Sequence, residues 1–166
     1  MSHHKIVSKF ILLTTLCSCM LKQLPAQVEN VDSAFQQART LAFSSQYTAS
    51  ISLCKKILEK SPNYVDVHVL LGRVYFWNDQ KDSAISTLNH VIRVKPYEDA
   101  YIALSDILRW SDQYSTSLAV AEEGLKHFPA SEELTIRKIK ALDDLKEYKN
   151  AYHFADSLKK KKNTDA

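Results

Sequence analysis

Three prolines divide the chain at nearly equal intervals, and the residues between them repeat one order of small and large side chains. Pro62 to Pro96 is 34 residues, and Pro96 to Pro129 is 33. Between the first two prolines the order is His68-x-x-Leu71-Gly72-x-x-Tyr75, then Ala84-x-x-x-Leu88. Apolar residues at i, i+3 and i+4 form a stripe on one helix face, and proline ends a helix because it has no amide hydrogen. The spacing therefore predicts repeated helical hairpins.

These intervals resemble the tetratricopeptide repeat, W-x-x-L-G-x-x-Y, A-x-x-x-F and a final proline, with only His68 and Leu88 replacing aromatics. Gly72 is expected to allow close approach of the two helices, since a glycine inside a helix otherwise costs about 1 kcal/mol relative to alanine. The resemblance implies an all-α, right-handed superhelical solenoid in which the first helix of each pair, helix A, faces inward and the second, helix B, lies outside. The residues predicted to carry the repeat are Leu71, Gly72, Tyr75, Ala84, Leu88, Pro96 and Ala151.

The pattern extends over about four units. The domain is predicted to cover residues 27–162, followed by a solvated tail at 163–166. Its units are predicted at about 29–62, 63–96, 97–129 and 130–160. The eight helices are expected at 30–44, 47–60, 64–77, 81–94, 98–110, 114–127, 131–145 and 148–160. With only two glycines and four prolines in 166 residues, a β-sandwich or a nucleotide-binding α/β fold would lack turn glycines.

The first 26 residues read as a secretory signal peptide. A polar, basic start with Lys5 and Lys9 precedes an apolar run at 10–16, and Leu24-Pro25-Ala26 precedes Gln27. The apolar run is too short for a permanent membrane anchor, which needs about 20 residues. The competing interpretation is a short amphipathic N-terminal helix.

Two cleavage sites compete within this segment. Cleavage after Ala26 would leave a soluble chain beginning at Gln27, and we favour it because cleavage after a small residue is typical of such segments. The alternative is the run Leu16-Cys17-Ser18-Cys19, which resembles a bacterial lipobox with lipidation at Cys19.

The basic charge of the chain belongs to this leader. Removing residues 1–26 removes three lysines and no acid, so 22 basic against 19 acidic residues become 19 against 19. A chain near neutrality is a poor candidate for nucleic-acid binding, which requires a positive face. Cys54 would be the one cysteine left, so no disulfide framework is expected, and its place on an apolar stripe predicts a buried side chain.

The resemblance also implies a groove lined by those A-helix residues that do not touch helix B. Its arginines could hold carboxylates or phosphates in a bidentate manner, and its aromatic rings could stack on a sugar or receive an apolar side chain. The alternative is that the tryptophans and arginines only seal the seams between units. The groove candidates are Arg39, Phe43, Arg73, Phe76, Trp77, Asp106, Arg109, Trp110, Lys140 and Asp143, together with Phe35, Asp66, Val69, Asp99, Ile102, Glu133, Ile136 and Asp144.

The runs Gly72-Arg73-Val74-Tyr75-Phe76-Trp77 and Ile107-Leu108-Arg109-Trp110-Ser111 narrow the resemblance further. Together with Tyr64-Val65-Asp66, they resemble the periplasmic repeat segment of YaiO-type outer-membrane proteins, over about residues 30–158. In that family a C-terminal β-barrel follows, and no stretch of this chain alternates like a barrel strand. The chain is then either a stand-alone or truncated relative, or similar only to the generic repeat.

Motifs of catalysis are missing from the sequence. It contains no Gly-rich phosphate loop, no H-E-x-x-H, no paired-cysteine metal motif and no G-x-S-x-G. The histidines of the repeats, His68, His90, His127 and His153, lie in different units without ligand spacing. We therefore expect neither an enzyme nor a metal or other cofactor.

Three functions remain open from the sequence alone. The first is an exported scaffold, periplasmic or associated with the outer membrane, that binds a protein or peptide in its groove. The second is a glycan-binding module in envelope polysaccharide handling, and the third is a periplasmic spacer of a larger outer-membrane protein.

Overall fold

The computed structural model describes residues 30–164. The predicted signal peptide, including Cys19, and the last two residues lie outside this range. The helices of the described range are α1 Val31–Phe43, α2 Tyr47–Lys60, α3 Val65–Trp77, α4 Lys81–Val94, α5 Glu98–Trp110, α6 Tyr114–His127, α7 Glu132–Asp144 and α8 Tyr148–Thr164. For seven of these helices, both the first and the last residue lie within one residue of the predicted bounds.

The exception is α8, which continues to Thr164 instead of ending at residue 160. The predicted helix end at residue 160 is therefore four residues too early. Lysine is a good helix former, and Lys160 pairs with Asp156 at 2.8 Å, one turn earlier. Cations near a helix C-terminus are also favoured by the helix dipole.

The helices pack as four sequential pairs, with α1, α3, α5 and α7 as the A helices and α2, α4, α6 and α8 as the B helices. Each helix contacts the next along the chain. Successive A helices also contact one another, whereas within residues 31–164 successive B helices do not. The A helices therefore form the inner layer of an array that resembles tetratricopeptide repeats (TPR).

Small residues bring the two helices of a pair together at one recurring crossing. A Cβ added to Gly72 of α3 would lie 2.7 Å from Cγ of Leu88, which is fully buried on α4. This confirms the expected close approach. In the third pair the same crossing holds Ser105 and Ser117, whose hydroxyls lie 2.9 Å apart, and Ser117 also donates to the Ser105 carbonyl at 2.8 Å. A buried hydroxyl needs such a partner.

The turn between A and B helices has the same backbone in every pair. One residue in each turn adopts a left-handed φ of 58–62°, namely Ser45, Asp79, Asp112 and Lys146. The following amide closes the turn on the preceding helix, as Gln80 N–H does on the Tyr75 carbonyl at 2.8 Å. This is the hydrogen bond of a Schellman-type helix end, made here without glycine.

Candidate functional site

The A helices of the first three repeats line one depression of about 410 Å³. We call it the A-helix depression, and its walls are Phe35, Arg39, Phe43, Asp66, Val69, Leu70, Arg73, Trp77 and Asp99. All but Leu70 belong to the groove predicted from the sequence. The structure thus brings Arg39, Phe43, Arg73 and Trp77 together in one place.

The A helices of the first three repeats are joined near their N-terminal ends by tyrosine hydroxyls. Tyr64, at the start of α3, donates to Asp32 of α1 at 2.9 Å. Tyr97, at the start of α5, donates in the same way to Asp66 of α3. The hydrogen bond to Asp66 raises the pKa of Tyr97 to about 12. These bonds occupy two of the acidic side chains near the groove.

The C-terminal ends of the A helices are joined by aromatic pairs. The rings of Phe43 and Trp77 lie 6.0 Å apart between the first and second repeats. Phe76 and Trp110 stack at 5.8 Å between the second and third. Trp77 is half-buried and also contacts Tyr47, whereas Trp110 remains 55% exposed. Trp77 therefore seals the seam and also lines the A-helix depression, whereas Trp110 is largely open to solvent.

The third junction uses ion pairs where the first two use aromatic rings. Arg109 replaces Phe76 in the repeat register and lies 2.7 Å from Asp144 of α7. The contact is not aligned as a hydrogen bond, so its attraction is mainly Coulombic. Beside it, Arg137 of α7 donates to both carboxylate oxygens of Asp106 at 3.1–3.3 Å. Arg109 and Asp106 are thus engaged in sealing this junction.

Arg73 occupies the register position of Asp106 one repeat earlier, but it has no such partner. At the second junction the position of Arg137 is taken by Ala103. Among the residues that the structure describes, no hydrogen bond or ion pair engages the Arg73 guanidinium. Burial lowers the pKa of Arg73, and the more distant carboxylates of Asp106 and Asp99 offset this only in part. The depression therefore holds a partly desolvated cation.

Asp99 is the corresponding anion of the depression. It stands where Asp32 and Asp66 stand in the earlier repeats, but the position of the donating tyrosine, directly before the helix, is held by Ser131. Within the described range no hydrogen bond or ion pair engages its carboxylate, which is exposed. Arg39, the remaining charge, is also exposed and lies over the Phe35 ring at 5.9 Å.

Two predicted groove residues, Lys140 and Asp143, are exposed on α7 and do not line the depression. Arg137 was not among the candidates. A signal for it existed, because Arg137 follows Asp106 by 31 residues, the same interval that separates Tyr97 from Asp66.

The described residues offer little for chemistry of other kinds. No group of three or more His, Cys, Asp or Glu side chains within 30–164 could hold a metal ion. Over the same residues, no helix combines the length and apolar character needed to cross a membrane. The thiol of Cys54 is fully buried, as predicted, and burial raises its pKa to about 11.

Comparison with known proteins agrees with this architecture. Residues 44–107 match the family model described as tetratricopeptide repeat. No curated protein matches the chain.

Solved structures of similar fold include MamA residues 41 to the end from Desulfovibrio magneticus RS-1, with a TM-score of 0.68 at 16% identity, covering 83% of this chain and 78% of that one. The Sgt2 TPR domain from Aspergillus fumigatus gives a TM-score of 0.65 at 15% identity, covering 74% and 83%. The thermophilic TPR protein TTC0263 from Thermus thermophilus gives 0.66 at 16% identity, covering 78% and 73%. At these identities the likeness is one of fold.

Proposed function

Taking the chain as a tetratricopeptide-repeat scaffold, we propose that it is a non-catalytic interaction protein that binds a peptide or protein segment in the A-helix depression. Such repeat arrays are typically used for protein–protein interaction. The observation that carries the proposal is Arg73, a partly desolvated guanidinium without a partner among the described residues. A cation withdrawn from water without a counter-ion opposes folding, and a bound carboxylate would relieve that cost.

The proposed site of action is the cell envelope, either the periplasm or the periphery of the outer membrane. The support is the basic start, the apolar run and the Ala26–Gln27 boundary of the N-terminal segment. The mass of the mature N-terminus tests this directly. A chain beginning at Gln27 is expected, a diacylglyceryl group on Cys19 would establish the lipoprotein alternative, and an intact Met1 would contradict export by either route.

Capture of partners from an envelope fraction tests the binding claim. The tagged chain is compared with Arg73→Ala and with Arg93→Ala, which removes an exposed arginine from the outer helix α4. Circular dichroism verifies that all three fold alike. We expect the Arg93 variant to recover the same partner as the unchanged chain and the Arg73 variant to lose it. Equal recovery by all three would remove the A-helix depression from the proposed function.

A glycan is the second candidate ligand, favoured by one observation. The Trp110 ring is 55% exposed and is held in orientation by stacking on Phe76. A fixed aromatic face of this kind can stack on a sugar ring. Binding on a glycan array that Trp110→Ala abolishes would support this function, and an array without signal for the folded chain would count against it.

A relation to YaiO-type outer-membrane proteins belongs to the same proposal. It is supported by the recurrence of tryptophan at the last position of α3 and α5, with one arginine in the last two turns of each helix. It would place the chain at the outer membrane, as a scaffold or as a spacer of a larger protein. Fractionation of the envelope tests it, since recovery with inner-membrane or cytoplasmic material alone would contradict it.

A further inference from the structure

We propose that the A-helix depression selects extended segments that carry an acidic and a basic side chain three residues apart, with an apolar residue two positions beyond the acid. This specificity rests on the proposed peptide-binding function and names the ligand chemistry of the same site. It follows from the order of three side chains in the A-helix depression, namely the charged groups of Asp99 and Arg73, which have no hydrogen bond or ion pair in the described chain, and the ring of Trp77.

The acidic residue of the ligand is assigned to Arg73. The first and second junctions have their N-terminal and C-terminal contacts satisfied within the protein, by Tyr64 and Tyr97 at one end and by aromatic pairs at the other. Between them, no hydrogen bond or ion pair engages Arg73 in the described chain, and Asp106 and Asp99 act on it only at longer range. A guanidinium presents paired donors that match a carboxylate, so a glutamate or aspartate complements it best.

The basic residue of the ligand is assigned to Asp99. Asp66 lines the same depression, but its carboxylate already accepts the Tyr97 hydroxyl. Asp99 lacks a tyrosine partner because Ser131 occupies the tyrosine position, and the short Ser131 side chain caps α7 by accepting the Leu134 N–H at 3.1 Å. A lysine or arginine of the ligand would therefore meet a carboxylate that the protein itself leaves unbound.

The distances between these groups set the spacing of the ligand. Asp99 stands on α5 in the register position of Asp66, which precedes Arg73 by seven residues, or about 10 Å of helix rise. The axes of α3 and α5 are about 8–10 Å apart, but both side chains line the same depression and Asp99 acts electrostatically on Arg73, so we take about 10 Å as the span between the two charges. Three residues of extended peptide span about the same length. Trp77 follows Arg73 by four residues, or about 6 Å, which corresponds to two extended residues. The two motifs that fit are Lys-x-x-Glu-x-Leu and its reverse, Leu-x-Glu-x-x-Lys.

Two fluorescent peptides test the inference, each with one of these motifs in a Gly/Ser background. Anisotropy gives their Kd for the unchanged chain, Arg73→Gln and Asp99→Asn. Matched peptides replace Glu by Gln or Lys by Gln. We expect one motif to bind, and each single loss of charge to weaken binding about tenfold, a factor equivalent to about 1.4 kcal/mol. The decisive readout is coupling, so that Glu→Gln costs little further in Arg73→Gln, and Lys→Gln costs little further in Asp99→Asn.

The outcomes separate this inference from the function on which it rests. Partner capture that depends on Arg73, together with no binding of either peptide motif, would show that the charge order is wrong while the groove function stands. The same conclusion follows if the Glu→Gln and Lys→Gln peptide changes weaken binding as much to the substituted protein as to the unchanged chain. If partner capture is independent of Arg73, the proposed function falls, and the inference falls with it. Coupling at both positions with Arg73-dependent capture supports both.

Discussion

Arg137 of the fourth repeat forms a bidentate ion pair with Asp106 of the third, and its Nε and Nη2 atoms lie 3.1–3.3 Å from the two carboxylate oxygens. The side chains are only 17% and 8% exposed. Arg137 also contacts Glu133 one turn earlier on its own helix. Desolvation is the largest single effect on Arg137 and opposes its charge, but the hydrogen bonds and Coulombic attraction to Asp106 and Glu133 together outweigh it, and the pKa of Arg137 is raised.

Arg137→Met should therefore be among the more destabilising substitutions on the A helices. It leaves Asp106 charged and nearly buried without its partner, a change that costs about 3–5 kcal/mol for a fully buried pair and about 2–4 kcal/mol here because Arg137 is partly exposed. Urea unfolding measures the loss. Asp106→Leu combined with Arg137→Met should recover much of it, and a double variant no more stable than Arg137→Met would contradict the pairing.

Gly72→Ala should destabilise the chain by about 1–3 kcal/mol, because the added Cβ would meet Leu88, which has no room to move. The cost should shrink when Leu88→Ala opens the site first. Thermal unfolding of the two single variants and the double variant provides the comparison. Stabilisation by about 1 kcal/mol, the ordinary gain of alanine over glycine in a helix, would show that the helices do not touch at this point.

Lys146→Gly should stabilise the fourth repeat by about 0.5–1 kcal/mol. Lys146 has a φ of 62°, in the left-handed region that costs a residue with a Cβ about 1–2 kcal/mol, and glycine is free of that cost although it loses more entropy on folding. Lys149→Gly, three residues later on an exposed position of α8, is the matched control and should destabilise by about 1 kcal/mol. Hydrogen exchange of the α7 and α8 amides measures the change in local stability for both variants. Changes of the same sign in the two variants would overturn this prediction.

Cys54 should resist thiol reagents in the folded chain at pH 8. Burial raises its pKa to about 11, and only the thiolate reacts readily. Because the folded pKa lies above the unfolded value, this group favours folding below about pH 9 and loses that contribution as pH rises through 11. Mass-mapped alkylation at Cys54 with and without urea is the measurement. Rapid modification of the folded chain would mean that the α2 interface opens.

Much of the fold could be predicted from the sequence because the residues that determine it act locally. Ser131 caps α7 by accepting the Leu134 N–H at 3.1 Å, as its position before two acids suggests. Gly72 and the prolines likewise act on their own helix or on the next. The four A–B turns were less readable, since left-handed residues are usually glycine and here are serine, aspartate and lysine.

The candidate site was readable only in part, for a physical reason. The repeat register identifies which side chains of the A helices do not face the B helices, and it predicts eight of the residues that line the depression. Whether a given charge is satisfied depends on the residue opposite in the next repeat, about 31 positions later. Asp106 meets Arg137 there, while Arg73 meets the position of Ala103. That difference separates a structural ion pair from a candidate ligand contact.

Arg73 is expected to serve a ligand and not the fold, and the free energy of unfolding tests this most directly. Arg73→Met keeps the apolar stem and removes an unpaired, partly desolvated charge, so urea unfolding should show equal or greater stability, by about 0–2 kcal/mol. Arg109→Met is the control and should lose about 1–2 kcal/mol because Asp144 is left without its partner. A loss from Arg73→Met as large as that from Arg109→Met would contradict a ligand-binding role for Arg73.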